Sequence, residues 1–330
     1  MKILFIYRNS KMGFSVGKVF KPIELEMKKA NKVDSIELPC SNYSVKSLIM
    51  NIKFAKRQIK NKDYDIIHIT GTEHYLLPFL KKERVVITVH DLGFYTNNKK
   101  GVRLWFKYLL WIKTLPLAGY VTFISKKSKI EAEKFVKLKN GKVSVIYDPI
   151  GNEYTYHPKT LNAKYPTILH LGTNPHKNLI RTIEALKGFP CMLCIIGKLH
   201  ENQIKMLREY GIDYINLYNL TDQEVLERYI DCDLVNFPSL HEGFGMPIIE
   251  GQSIGRPILT SDITPMKEIA GNGGAVLVNP LDVESIRNGY EEAIKHSDEL
   301  IEKGLENVKR FRLDIIISQY YKVYEQLMKV

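Results

Sequence analysis

The decapeptide HEGFGMPIIE, residues 241–250, holds the densest chemistry in the chain. It follows a strand-like run at 234–238 and opens a helix-like one. Gly243 and Gly245 flank Phe244 in a turn with little side-chain bulk, so backbone N–H groups can approach a ligand closely. Pro247 suits the first turn of a helix, where its missing N–H costs nothing. Such a helix directs its orphan N–H groups and positive dipole end into the Gly-Phe-Gly turn, which suits a phosphate or diphosphate. Glu242 stands before the turn, and Glu250 falls about one helical turn past Pro247 at ~1.5 Å rise per residue. Both carboxylates can therefore flank one ligand. A carboxylate repels phosphate, so the two suit sugar hydroxyls better. By residue type alone, a plain strand, turn and helix with dipole-favoured glutamates fits equally well.

Two further stretches could carry chemistry. In RNSKMGFSVGKVF, Gly13 and Ser15 can bring N–H groups onto a phosphate with Arg8 and Lys11 nearby, although an ordinary strand-to-helix turn fits too. His90 and Asp91 end the run VVITVHDLGFY, where the imidazole either points into a cleft or caps the next turn. Metal chemistry is not expected. Cys191 and Cys194 lie in CMLCIIG, a buried-strand pattern whose alternation sends them to opposite faces. Asp231, Cys232 and Asp233 sit where a helix gives way to a strand, without further acidic ligands close by.

These residues need a scaffold, and the periodicity supplies one. Strand-like runs at 2–7, 35–38, 66–70, 85–90, 120–125 and 143–147 alternate with helical patterns, notably 17–29 and 45–60. The second half repeats the arrangement with runs at 167–172, 192–197, 214–217, 234–238, 257–260 and 275–278. Near-continuous apolar strands separated by helices imply parallel sheets covered on both faces. A chain of 330 residues suits two such doubly wound α/β domains. The joint is expected near 148–164, where Pro149, Gly151 and Pro158 cluster. Ligands of such sheets bind beyond the carboxyl ends of the strands, where the motifs above lie.

The two glutamates seven residues apart around Gly-Phe-Gly, preceded by Pro238 and Ser239, resemble the signature of the retaining glycosyltransferases of family 4. That resemblance implies the GT-B fold, two Rossmann-like domains facing a central cleft. Expected boundaries are 1–155 for an acceptor-side domain, 156–313 for a nucleotide-sugar-binding domain, and 314–330 for a terminal helix crossing back to the first. It implies that Glu242 contacts the donor sugar, that Gly243, Phe244 and Gly245 hold sugar and diphosphate, and that Glu250 binds the ribose. ILHLGTNPHKNL resembles the family's phosphate-binding segment, with Lys177 at the start of a helix beside a leaving diphosphate. Thr173 stands where relatives usually place Arg, a departure that removes one cation. By the same resemblance Gly13 belongs to a loop over the diphosphate, and His90 lies close to donor sugar and acceptor. The family is usually described by front-face attack, in which the leaving phosphate helps deprotonate the acceptor. The implied partners are a nucleotide-diphosphate sugar and a glycan or lipid-linked acceptor for a surface polysaccharide, with no cofactor and no essential metal. Another GT-B enzyme, such as a nucleotide-sugar epimerase, or a non-catalytic nucleotide-sugar-binding partner protein, is the alternative.

Charge adds a further expectation. Residues 1–160 hold 30 Lys+Arg against 13 Asp+Glu, or +17, whereas residues 161–330 hold 18 against 23, or −5. The basic half suggests an anionic surface, and an acidic membrane fits better than nucleic acid, for which no binding motif is present. KKGVRLWFKYLLWIKTLPLAGY, read as one helix, sets Arg103 and Lys107 one turn apart beside an aromatic surface. That pattern fits a helix in a membrane interface or one packed in the fold. No apolar run reaches the ~20 residues of a membrane span, so a cytoplasmic protein, peripheral at the inner face of a membrane, is expected.

Overall fold

The computed structural model of the chain describes residues 1–12, 15–81, 84–92 and 102–329. In chain order the strands are β1 Lys2–Tyr7, β2 Lys32–Glu37, β3 Ile66–Ile69, β4 Val85–Val89, β5 Tyr120–Phe123, β6 Val143–Val145, β7 Thr167–Leu171, β8 Met192–Ile196, β9 Asp213–Leu217, β10 Leu234–Phe237, β11 Ile258–Ser261 and β12 Val276–Val278. The helices are α1 Ser15–Met27, α2 Val45–Ile59, α3 Val102–Lys107, α4 Lys126–Glu133, α5 Leu179–Ala185, α6 Glu201–Glu209, α7 Asp222–Asp231, α8 Met246–Ile254, α9 Met266–Ala270, α10 Val283–Lys295, α11 Ser297–Val308 and α12 Leu313–Met328. The chain divides into two compact units, Met1–Pro149 with Leu313–Val330, and Ile150–Arg312.

The first unit is a six-stranded sheet of order β2-β1-β3-β4-β5-β6, and every ladder is parallel. Its central strands are buried along their whole length, as in β3 and β4, because helices cover both faces. A polar chain runs through this core. His68 on β3 hydrogen-bonds the Tyr324 hydroxyl through Nδ1 (2.6 Å) and Thr88 Oγ1 through Nε2 (2.8 Å), and Thr88 meets Thr122 at 2.7 Å. Burial pushes the His68 imidazole down to about 3, so it is neutral at ordinary pH. This network fixes the rotation of α12. Ile317 and Tyr324 turn inward, and Ile315, which the helical period places on the apolar face, is 40% exposed.

The tryptophan segment is not one regular helix. After α3 the backbone widens into a π-helical turn, Tyr108–Ile112, followed by a short 3-10 turn, Leu115–Leu117. The wider turn brings Trp111 onto Tyr75 and Tyr43, with ring centroids 5.7 and 5.1 Å apart, and its carbonyl meets His74 Nδ1 at 2.5 Å. Trp111 and Ile112 are thereby buried, while Trp105 and Phe106 stay exposed. Aromatic packing inside the unit overrides the single amphipathic face expected from the sequence.

The second unit is a parallel six-stranded sheet of order β12-β11-β10-β7-β8-β9. Cys191 and Cys194 are free and buried in it. Asp233, between α7 and β10, accepts the Thr167 and Asn162 N–H groups (2.8 and 3.3 Å) and pairs with Lys159 at 2.8 Å. Its carboxylate is thus occupied in tying the start of β7 to the start of β10. Thr221 and Glu224 form the reciprocal capping box at the start of α7. Among the described residues no helix is long and apolar enough to cross a membrane, and no group of three or more His, Cys, Asp or Glu side chains could hold a metal ion.

Candidate active site

In the second unit β7 and β10 are neighbours, while the chain continues from β7 to β8 on one side and from β10 to β11 on the other. The connections leaving their carboxyl ends diverge, and a crevice opens at this switch point. Two segments meet there. After β7, Gly172 takes φ +93, and a Cβ at that position would lie 2.8 Å from the Lys177 side chain, so only glycine lets the lysine fold back across it. A 3-10 turn, Pro175–Lys177, follows, and Asn178 takes the left-handed conformation (φ +65) before α5 begins.

Lys177 therefore does not open the helix. Asn178 stands between, because its side chain must reach sideways: Nδ2 donates to the Pro238 carbonyl (3.0 Å) and the Pro280 carbonyl (2.6 Å). Leu240 N–H donates to the His176 carbonyl at 2.7 Å. These bonds lash the turn after β7 to the loop after β10. Their consequence is an ion pair from Lys177 Nζ to Glu242 Oε1 at 2.6 Å, with the ammonium 4.7 Å from the Phe237 ring centroid. The two side chains keep 21% and 15% exposure, enough for a ligand to reach them.

The Gly243-Phe244-Gly245 turn lies directly beyond Glu242. Gly245 caps α8 at φ +116, a region costly for other residues, and Pro247 sits in the first turn. Phe244 is buried edge-on to Phe311, with centroids 5.8 Å apart, which anchors the turn at the start of α8. Glu250, one turn into α8, accepts the Tyr229 hydroxyl at 2.6 Å. Tyr229 projects from α7 and meets Tyr154 at 5.7 Å between ring centroids. Burial and then the Glu250 charge raise both phenols, so they remain protonated donors. The glutamates thus have separate partners: Glu242 a lysine, Glu250 a buried tyrosine.

Thr173 is buried, and its hydroxyl donates to the Lys198 carbonyl at 2.7 Å while its own carbonyl accepts Gln203 Nε2 at 2.9 Å. Its side chain stitches the loops after β7 and β8. Beneath the crevice, Asn236 Nδ2 donates to His170 Nδ1 (2.8 Å) and to Thr182 Oγ1 (3.0 Å), and Asn236 Oδ1 accepts the Tyr290 hydroxyl (2.9 Å). Burial, with Lys177 nearby, pushes the His170 imidazole down to about 3, so this ring is neutral at ordinary pH. Asn178, Tyr154 and Tyr229 escaped the sequence reading. An asparagine directly before a helix pattern is a usable hint of a left-handed residue, whereas nothing local marks a tyrosine 21 positions from its carboxylate.

His90 belongs to the first unit. Its Nε2–H donates to the Thr70 carbonyl (2.8 Å) and its own carbonyl accepts Ser128 Oγ (2.8 Å). That tautomer makes Nδ1 the acceptor nitrogen of the ring. Burial lowers its pKa against the opposing pull of the Thr70 carbonyl and Asp91. Gly13 lies outside the described residues.

Two family models divide the chain between them. The description "Glycosyltransferase Family 4" matches residues 24–153 and "Glycosyl transferases group 1" matches residues 155–310. The chain belongs to glycosyltransferase family 4. This family 4 chain is 29% identical over 245 residues to the serotype-specific mannosyltransferase WbdA of Escherichia coli, covering 67% of the chain and 28% of that relative. It is 27% identical to the O-antigen chain mannosyltransferase RfbU of Salmonella typhimurium, covering 69% of the chain and 64% of the relative. The chain thus spans less than two thirds of the length of either. Among solved structures, sucrose-phosphate synthase from Thermosynechococcus elongatus superposes with a TM-score of 0.79 at 18% identity, over 100% of both chains. The lipopolysaccharide outer core galactosyltransferase WaaB superposes with a TM-score of 0.74 at 17% identity, over 99% of both. The fold is GT-B, built from two doubly wound Rossmann-like units.

Proposed function

We propose that this family 4 chain moves a sugar from a nucleotide-diphosphate sugar to a hydroxyl of a glycan or lipid-linked acceptor, with retention at the anomeric carbon, in surface polysaccharide assembly. The observation that carries the proposal is the Lys177–Glu242 pair at 2.6 Å, beside a Gly-Phe-Gly turn that opens α8 at the β7/β10 crevice. In that crevice the ammonium and the turn amides face the diphosphate, Glu242 the hydroxyls of the donor sugar, and Glu250 the ribose. The acceptor oxygen bonds to the anomeric carbon as the bond from that carbon to the diphosphate oxygen breaks, and the departing diphosphate takes the acceptor proton. Charge grows on the leaving oxygen during this step, so Lys177 and the amides favour the transition state over the bound donor. Thr173 acts by shaping the loop, and His90 stands on the acceptor side with Nδ1 able to accept a hydroxyl proton in a hydrogen bond.

Mannose is the sugar we assign. Support comes from the relatives titled as mannosyltransferases, one of them a GDP-mannose:cellobiosyl-diphosphopolyprenol alpha-mannosyltransferase of Xanthomonas oryzae at 24% identity. That title also supports a lipid-linked acceptor. Anabaena HepE, similar in fold, was solved with UDP and glucose, which supports a nucleotide-diphosphate donor in general.

A thermal-shift panel of nucleoside diphosphates and their sugars, run on wild type and Glu250→Ala, tests the donor site. One nucleotide series should raise the melting temperature of wild type by mass action and that of the variant much less. No shift with any of them at millimolar concentration would refute the proposal. Incubating the stabilising nucleotide sugar without acceptor should leave it unchanged; conversion to another sugar nucleotide would replace transfer with epimerisation.

A further inference from the structure

The basic excess of the first unit has a specific address. Between Glu37 and Asp63 the chain has no acidic residue and six Lys or Arg. Most of this stretch is α2, and at 3.6 residues per turn its exposed positions fall within an arc of about 140°. The cations on that arc are Lys46, Lys53, Lys56, Arg57 and, directly after the helix, Lys60. Interleaved with them are Val45, Ile49 and Met50, which are 74%, 46% and 46% exposed. The opposite face, with Leu48, Asn51 and Ala55, is buried in the unit, so the helix is already seated and the outer face is what it offers to partners.

At the C-terminal end of α2 the same surface continues into an apolar groove of about 390 Å³. Phe79, Leu80 and Ile59 line it, and Lys56, Arg57 and Lys81 stand around it. Phe79 is 47% exposed. The Trp105 and Phe106 rings, 5.4 Å from each other, are exposed on the same unit, although Trp111 is not. The tryptophan segment therefore buries one of its two tryptophans, whereas the exposed positions of α2 are all apolar or cationic.

We propose that this face of α2, with the Phe79 groove, seats the protein on an anionic lipid bilayer. Lys and Arg on one arc meet headgroup phosphates, and Val45, Ile49, Met50 and Phe79 enter the boundary with the acyl chains. The charge argues against the other occupants. A second copy would bring the same cations face to face. A nucleic acid needs the cations only and gives four exposed apolar side chains nothing to contact. This inference is independent of what the β7/β10 crevice binds.

Sedimentation of the whole protein with phosphatidylcholine vesicles containing or lacking phosphatidylglycerol, at low and at 0.5 M salt, tests it. Wild type should bind the phosphatidylglycerol vesicles at low salt, bind pure phosphatidylcholine at least tenfold less, and release in high salt. Lys53→Glu with Arg57→Glu should lower partitioning at least tenfold, and so should the uncharged pair Ile49→Ser with Met50→Ser. These positions are exposed, so circular dichroism should report a native fold for both variants. If wild type ignores the anionic vesicles, the proposal fails. If the charge variant loses binding while the serine variant keeps it, attachment is to the headgroup charge alone, the apolar side chains do not enter the bilayer, and the proposed seating fails.

Discussion

Replacing Glu242 with Gln should separate binding from transfer. In the structure Lys177 spends its charge on Glu242 at 2.6 Å, and a diphosphate must take that ammonium or share it. Exposed pairs contribute about 0–1 kcal/mol, and breaking a buried one costs about 3–5 kcal/mol. Side-chain exposures of 21% and 15% place this pair between them, at about 1.5 kcal/mol. Glu242→Gln removes both that competition and the repulsion between carboxylate and phosphate, so affinity for the free nucleoside diphosphate should rise about tenfold. Sugar transfer should nonetheless fall by about tenfold or more, because the charged acceptor for the sugar hydroxyls is gone. Lys177→Met should weaken both, since it removes the cation and leaves Glu242 facing the phosphate. Calorimetric titration with the diphosphate at 0.15 M salt, beside an initial-rate assay, reads the two effects. If Glu242→Gln weakens diphosphate binding as much as Lys177→Met does, the two residues do not divide the donor in this way and the reasoning is wrong.

Two further outcomes follow from buried groups. Tyr229→Phe removes the hydroxyl that Glu250 accepts at 2.6 Å, so the preference for a ribonucleoside over a 2′-deoxyribonucleoside diphosphate should narrow by about threefold to tenfold, a loss of about 1 kcal/mol; an unchanged ratio in a folded variant would show that the tyrosine does not position Glu250. Glu73, 1% exposed after β3, has a carboxyl oxygen without a hydrogen-bond partner, and burial raises its pKa from 4.5 to about 7. Its raised folded value means that protonation favours the native state, an advantage complete below about pH 4.5 and lost as pH rises through about 7. The unfolding free energy of wild type relative to Glu73→Gln should therefore increase by roughly 2–3 kcal/mol between pH 8 and pH 5, the other titrating groups cancelling in the difference. A difference independent of pH in denaturant titrations would refute it.

Both sheets and the place of the Gly-Phe-Gly turn were legible in the residues alone. Runs such as KILFIY and VVITV are almost wholly apolar, as strands buried on both faces are, so two parallel sheets were legible, with several strand ends read one or two residues too long; the edge strand β2, KVDSIE, is half exposed and polar, and its start was missed by three residues. Those ends were overestimated because His90, Gly172 and Pro238 continue the strand pattern while their backbones already serve the loops beyond it. The Gly-Phe-Gly turn and Pro247 in the first turn of α8 were legible for the same reason: glycine and proline act on their own backbone.

Tertiary structure alone decided what depends on neighbours distant in sequence. Lys177 is held off the start of α5 because Asn178 must reach Pro238 and Pro280, 60 and 102 positions away. Thr173 gives its hydroxyl to a carbonyl of the next loop. Trp111 turns inward because Tyr75 and Tyr43 are there to receive it, and the helix widens to let it. Periodicity reports which face of an element is apolar. It carries no record of which polar atom on another strand or helix will claim a side chain, and that choice set the geometry of the crevice.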